Sequence, residues 1–149
     1  MSSSARPAVS EVADVAGRLR ISATRLARRL RQESDAGLTP SQLSALAAIE
    51  RHGSLTLGQL AEYERVAPAS VTKVLAKLEA EGLVSRRTDE HDRRSSWVTL
   101  TGTGRRRIAR IRRRKRLWLA ARIESLDPEQ RARLADALDV LDALTADAP

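Results

Sequence analysis

Helix starts are the plainest signals in this chain, and they leave it little choice of architecture. Thr39-Pro40-Ser41-Gln42 and Thr56-Leu57-Gly58-Gln59 each place a glutamine three residues after a threonine, so that hydroxyl and amide can each cap the other's backbone N–H. Asp127-Pro128-Glu129-Gln130 repeats the pattern with a carboxylate, and Pro68 stands where a further helix can open. Glycine marks the ends. The second helix is predicted to run to about His52 before Gly53, the third covers about ten residues, and the fourth runs from Pro68 to Glu81 before Gly82. Ser54-Leu55 leaves room for a minimal strand between the second and third helices.

The segments outside these short helices complete the pattern. Leu83 to Arg87 and Ser96 to Leu100 carry β-branched and aromatic residues around a polar turn, so they read as a hairpin whose tip is Asp89-Glu90-His91-Asp92-Arg93-Arg94. From Ser10 to Gln32, Val12, Ala16, Leu19, Ala23, Leu26 and Leu30 follow a four-three spacing, the narrow seam of a helix that packs on another helix. That helix ends near Asp35-Ala36-Gly37, a long basic helix is predicted from about Gly104 to Leu126, and Leu134, Leu138 and Leu141 give the last helix a similar seam. The expected fold is mainly α (α+β): a winged helix-turn-helix lobe with a two-stranded β-wing over 38–103, and a helical dimerisation platform from 10–36 and 104–146. Residues 1–9 read as a flexible leader.

Composition removes several kinds of protein. Among 149 residues there is no cysteine and there are only two isolated histidines, so no disulfide framework, thiol nucleophile or metal cluster is expected, and no cofactor. No nucleophile with a His signature and no Gly-rich phosphate loop is present, and an enzyme is not expected. No apolar run is long enough to span a membrane and no secretory signal opens the chain, so the cytoplasm is the expected location. The charge points to a partner. Arg86 to Arg116 holds thirteen Lys/Arg against three Asp/Glu, while the rest of the chain holds fourteen against sixteen. A positive field so localised suits a polyanion, nucleic acid first, because neutralising phosphates releases counterions. An anionic membrane surface is disfavoured, since the arginines lack an interleaved apolar and aromatic face.

The helix opened by Pro68 gives that expectation residues. Val71, Val74, Leu75 and Leu78 share one helical face, and the opposite face is left with Ala69, Ser70, Thr72, Lys73, Ala76 and Lys77. Small residues there allow close approach to a surface, while Ser70, Thr72 and Lys73 offer hydrogen bonds to base edges or phosphates near the positive end of the helix dipole. An ordinary amphipathic surface helix would look the same. At the hairpin tip, guanidinium groups suit a narrow minor groove, and a solvated salt-bridge cluster is the alternative.

These residues together resemble the MarR family of bacterial transcriptional regulators. The likeness is carried by Leu60-Ala61-Glu62, by Val66 to Lys73, by Leu78-Glu79, by Gly82 to Arg86, by Asp92-Arg93-Arg94, and by Val98 to Thr101 with Gly104. The resemblance implies a homodimer clasped by its terminal helices, with Val12, Leu19, Leu26, Leu134, Leu138 and Leu141 on the seams and two lobes on adjacent half-sites. It implies DNA contacts from Pro68, Ala69, Ser70, Thr72, Lys73 and Lys77 on the recognition helix, from Arg86 at the base of the wing, from Arg93 and Arg94 at its tip, and from Thr56 at a helix start. Asp92 matches the aspartate that holds the wing in shape.

Two positions depart from the family pattern: Arg65 replaces a frequent turn glycine, and Ala67 replaces a frequent capping Ser or Thr. The run Arg105 to Arg116, nine basic residues in twelve, cannot face one way on a helix. It reads either as added field for phosphate or as a solvated face paired with Glu11, Asp14, Asp136, Asp139 and Asp142. His52, His91 and Trp118 have adequate structural roles at a helix end, a turn and a packed rim. The expected function is a sequence-specific regulator of double-stranded DNA, a repressor on a pseudo-palindromic operator, released by a small phenolic or anionic effector whose pocket carries no mark in this sequence. A weakly specific architectural DNA-binding protein is the alternative.

Overall fold

The computed structural model describes residues 6–33, 37–92 and 94–146, with side chains from Ser10 onward. Its elements are α1 (Arg6–Glu33), α2 (Pro40–His52), β1 (Ser54–Thr56), α3 (Leu57–Glu64), α4 (Pro68–Ala80), β2 (Val84–Thr88), β3 (Ser96–Leu100), α5 (Gly102–Glu124) and α6 (Pro128–Thr145). They fall into two compact units, one of residues 34–113 and one of residues 1–33 with 114–149.

The unit of 34–113 is built on its caps. Thr39 N–H donates to Gln42 Oε1 at 2.7 Å and Gln42 N–H returns to Thr39 Oγ1 at 3.2 Å, which also gives the buried Gln42 side chain a partner. The Thr56–Gln59 pair does the same for α3 at 2.9 and 3.2 Å. α4 ends in a Schellman turn: Leu83 N–H reaches Leu78 O at 2.9 Å, Gly82 N–H reaches Glu79 O at 2.9 Å, and Gly82 sits at φ 68°. That turn delivers Leu83 to the core, so β2 begins at Val84. Leu46, Ile49, Leu60, Leu75, Leu78 and Val98 are fully buried at the centre. Each contributes about 1.5–3 kcal/mol relative to exposure.

The winged helix-turn-helix fold and its two-stranded wing form as expected, and the structure adds detail to them. The wing is part of a three-stranded antiparallel sheet of order β1-β3-β2, because the short β1 pairs with β3 (Leu55 opposite Val98), adding its own ladder to that of the hairpin. The compact unit includes the first turns of α5 as far as Arg113, with Gly104, Ile108 and Ile111 buried in it. The first helix begins at Arg6 rather than Ser10, as Pro7 is tolerated in a first turn; residues 1–5 lie outside the described residues.

The other unit holds α1, the end of α5 and α6, the last capped by Asp127, whose carboxylate accepts Gln130 N–H at 2.8 Å. No residue of α6 is buried. Val12 is 70% exposed, Leu26 44% and Leu138 51%, while Leu134 and Leu141 are half-buried, so the seams of both terminal helices are only partly covered within a single chain. On α5, the Arg122 guanidinium lies over the Trp118 ring at 5.1 Å, which assigns that indole a cation–π partner.

Candidate nucleic-acid interface

α3 and α4 form the helix-turn-helix, and the turn depends on one strained residue. Arg65, at φ 52° and ψ 44°, is the one non-glycine residue with positive φ among those described. In that conformation its N–H reaches Glu62 O at 3.1 Å, and Val66 N–H reaches Ala61 O at 3.1 Å, closing α3. Ala67 then begins α4 with no side-chain cap; Ser70 N–H turns back to Ala67 O at 2.9 Å instead. The first turn of α4 is therefore held by its own backbone.

Val71, Leu75 and Leu78 bury one face of α4, and Val74 packs against the core at its edge. Pro68, Ala69, Ser70, Thr72, Lys73, Ala76 and Lys77 are all exposed. Thr72 Oγ1 donates to Pro68 O at 3.0 Å. Its hydroxyl proton is thus committed to the helix, and what Thr72 offers outward is an acceptor lone pair and a methyl group. Thr56, whose hydroxyl accepts Gln59 N–H, marks the start of α3.

The wing is braced chiefly by a residue that the sequence did not single out. Asp89 Oδ1 accepts His91 N–H at 2.7 Å and Asp92 N–H at 3.2 Å, and Asp89 Oδ2 accepts the Trp97 indole N–H at 2.7 Å. The indole bond, then the two backbone bonds, hold the Asp89 carboxyl below the usual carboxylate range. Asp92 accepts Arg94 N–H at 3.0 Å, and its carbonyl accepts Ser95 N–H at 2.9 Å, so it shapes the last residues of the tip. The available signal was Trp97: an indole N–H on a half-buried strand requires an acceptor.

Arg94 is exposed beside this turn, and Arg93 lies outside the described residues. Arg86 is drawn back toward the helix, its Nε 3.8 Å from a Glu79 carboxylate oxygen, a weak exposed pair. In the basic run, Gly104, Ile108 and Ile111 face the core while Arg106, Arg110 and Arg113 are exposed. Arg112 pairs with Glu50 of α2, an acid absent from the set expected from sequence. His52 stacks on Tyr63 with ring centroids 4.4 Å apart. Among the described residues no cluster of His, Cys, Asp and Glu is placed to hold a metal ion, and no helix is long and apolar enough to cross a membrane.

Comparison with known proteins places this geometry among regulators. The family model described as MarR family matches residues 38–96, the span from two residues before α2 to the first residue of β3. An uncharacterized HTH-type transcriptional regulator of Mycobacterium bovis is 36% identical over 138 residues, covering 92% of this chain and 96% of that protein. The HTH-type transcriptional repressor MdtR of Bacillus subtilis is 40% identical over 68 residues, 46% of this chain and 44% of its own. A MarR family protein from Bacillus stearothermophilus superposes with a TM-score of 0.74 at 29% identity, over 90% of this chain and 94% of that one.

Proposed function

The chain belongs to the MarR family of DNA-binding transcriptional regulators, and from that premise we propose that it is a homodimeric, cytoplasmic repressor of a pseudo-palindromic operator, released by a small phenolic or anionic effector. Regulators of this family are not enzymes, so the chemistry to be explained is recognition. The observation that carries the reading is the outward face of α4, where small residues alternate with Ser70, Thr72, Lys73 and Lys77 and no acid intervenes.

Ala69 and Ala76 let the helix backbone approach base edges in a major groove. Lys73 and Lys77, one turn apart, supply charge to bases and phosphates; Thr72 accepts from an exocyclic amino group or packs its methyl on that of thymine. The wing, its shape set by Asp89 and Asp92, carries Arg94 toward the adjoining minor groove, and Arg93, its neighbour in the sequence, is assigned the same role. Thr56 brings the start of α3 to a phosphate, and Arg86 adds charge at the wing base. Homodimerisation is supported by the seams through Val12, Leu19, Leu26 and Leu138, which are exposed, and through Leu134 and Leu141, which are half-buried; a second copy would bury them further. Two lobes would then address successive major grooves about 34 Å apart, and an effector would favour a spacing that misses them. Repression follows the relative MdtR, a repressor by name.

Selection of bound fragments from genomic or random DNA, followed by competition binding, tests this reading. A repressor prefers its site over random duplex by roughly 10³ or more. Arg94→Ala weakens binding across sequences, whereas Lys73→Ala changes discrimination among related sites. Equal affinity for selected and random duplexes, with a steep salt dependence, would instead establish the architectural reading that the arginine run of α5 favours.

A further inference from the structure

The outward face of the sheet is laid out as a grid. Strand alternation sends Leu55, Val84, Val98 and Leu100 into the core and puts Ser54, Ser85, Arg87, Trp97 and Thr99 on the other side, where these five line one open depression of about 450 Å³. In the register, Ser54 and Ser85 both oppose Thr99, and Ser85 Oγ lies 3.0 Å from Thr99 Oγ1. Two residues along, on the same face, Trp97 opposes Arg87. A row of hydroxyls thus runs beside an indole and a guanidinium.

Both of the larger groups are placed for a ligand. The indole is pinned at its N–H by Asp89, so it offers a fixed aromatic wall. Arg87 is exposed and has no ion pair among the described residues. A second depression shares Arg87 and Trp97 and extends past Thr88, Asp89, Glu90 and His91 to the wing tip. The carboxylates of Asp89 and Glu90 repel an anion from that end, leaving the Arg87 side as the place for negative charge.

We propose that this face of the sheet binds a small planar aromatic anion, its ring against the Trp97 indole, its carboxylate on the Arg87 guanidinium, and the Ser85, Thr99 and Ser54 hydroxyls beside it. A planar guanidinium matches a carboxylate with two parallel bonds, and a fixed indole face suits a flat ring. A DNA phosphate is the lesser fit: it has no use for the indole, and one cation flanked by two acids is a poor phosphate track. As the effector site this inference rests on the effector reading above, with a route of action that the grid supplies. The same Asp89 that pins the indole holds the N–H groups of His91 and Asp92, and Asp92 in turn holds that of Arg94, so a ring seated on the indole is linked to the wing tip through Asp89. The ligand would then act on the wing tip as well as on lobe spacing.

The test uses the full chain with ¹⁵N-labelled tryptophan, whose two indole N–H signals make Trp118 the control for Trp97. The probes are 2-naphthoate, the non-aromatic anion cyclohexanecarboxylate, and neutral 2-naphthalenemethanol. The expected result is a saturable shift of the Trp97 signal alone with 2-naphthoate, at a Kd on the order of 0.1–1 mM for so open a site. Arg87→Gln should weaken binding about tenfold, Arg87→Lys should recover part of it, and both non-matching probes should bind about tenfold less well. No saturation by about 10 mM, or equal shifts from all three probes, overturns the proposal. So does loss of operator binding by Arg87→Gln without any probe, which would make that guanidinium a DNA contact. If aromatic acids release the operator while the Trp97 signal stays fixed, the site falls and the effector reading stands. If the signal shifts with the expected selectivity and operator affinity does not, the site stands and the effector reading falls.

Discussion

Gly104 is the position where adding a single carbon should cost most. It lies in the first turn of α5, buried against the start of the wing, and a Cβ there would enter the van der Waals sphere of the Leu83 carbonyl oxygen, 3.0 Å from its carbon and 3.3 Å from Leu100 Cδ2. The obstacle is backbone and cannot swing aside. Leu83 O accepts Thr101 N–H at 3.1 Å, Thr101 Oγ1 donates to Gly82 O at 2.6 Å, and Gly104 N–H donates to Thr101 Oγ1 at 3.0 Å. Making room for Gly104→Ala means prising α5 from Leu83 and stretching these three bonds, each worth about 1 kcal/mol net. Overpacking adds about 1–3 kcal/mol, and the better helix propensity of alanine returns about 1. The expected loss is about 3–5 kcal/mol, or a fall in Tm of roughly 10–15 °C in a chain of this size. Thermal unfolding by circular dichroism at fixed protein concentration reads it. Gly58→Ala is the internal control: on α3 a Cβ meets nothing within 4 Å, so stability should rise by up to about 1 kcal/mol. A Gly104→Ala protein that melts with the wild type would refute the packing of α5 against Leu83.

Arg65→Gly should stabilise the lobe by about 0.5–1 kcal/mol, the relief of about 1–2 kcal/mol of left-handed strain less the added chain entropy of glycine, while Arg65→Ala keeps the strain and shows no gain; urea midpoints decide. Because the folded pKa of Asp89 is depressed, its bracing of the wing is fully present above the ordinary aspartate pKa of about 3.9 and is lost only as pH falls below that, through the folded value. The Trp97 indole N–H should therefore hold its position from neutral pH to about pH 5 and move in stronger acid; a titration centred at or above the ordinary value would contradict the bracing. Thr72→Val keeps the methyl and removes the acceptor, so selected sites should lose a preference at one base pair worth about 1–3 kcal/mol while phosphate affinity is kept; an unchanged site preference would remove Thr72 from base reading.

Local signals are legible in this sequence, and distant pairings are not. Each of the boxes at Thr39, Thr56 and Asp127 spans only four residues of chain, and each forms its reciprocal hydrogen bonds as expected. Leu55 opposite Val98 depends on two segments over forty residues apart, so the third strand of the sheet could be suspected from Ser54-Leu55 but not placed. The same distance hid Glu50 as the partner of Arg112. The Asp89–Trp97 bond spans only the hairpin, yet four acidic and imidazole side chains crowd that tip, and hairpin register alone decides which one the indole reaches. On α4 the exposed face was legible because helical periodicity assigns it, whereas the inward hydroxyl of Thr72 depends on a rotamer that no spacing encodes.

The partly covered seams of α1 and α6 have a consequence for dosage. In the dimer reading, the terminal helices acquire an interior only when two chains meet, so the ordering of the ends and association share one equilibrium, which shifts with copy number. When the protein is scarce, reading lobes would be present but unpaired, and operator occupancy would climb with roughly the square of expression before levelling off. A threshold of that kind needs no ligand. It would arise from leucines and valines that a lone polypeptide leaves in water.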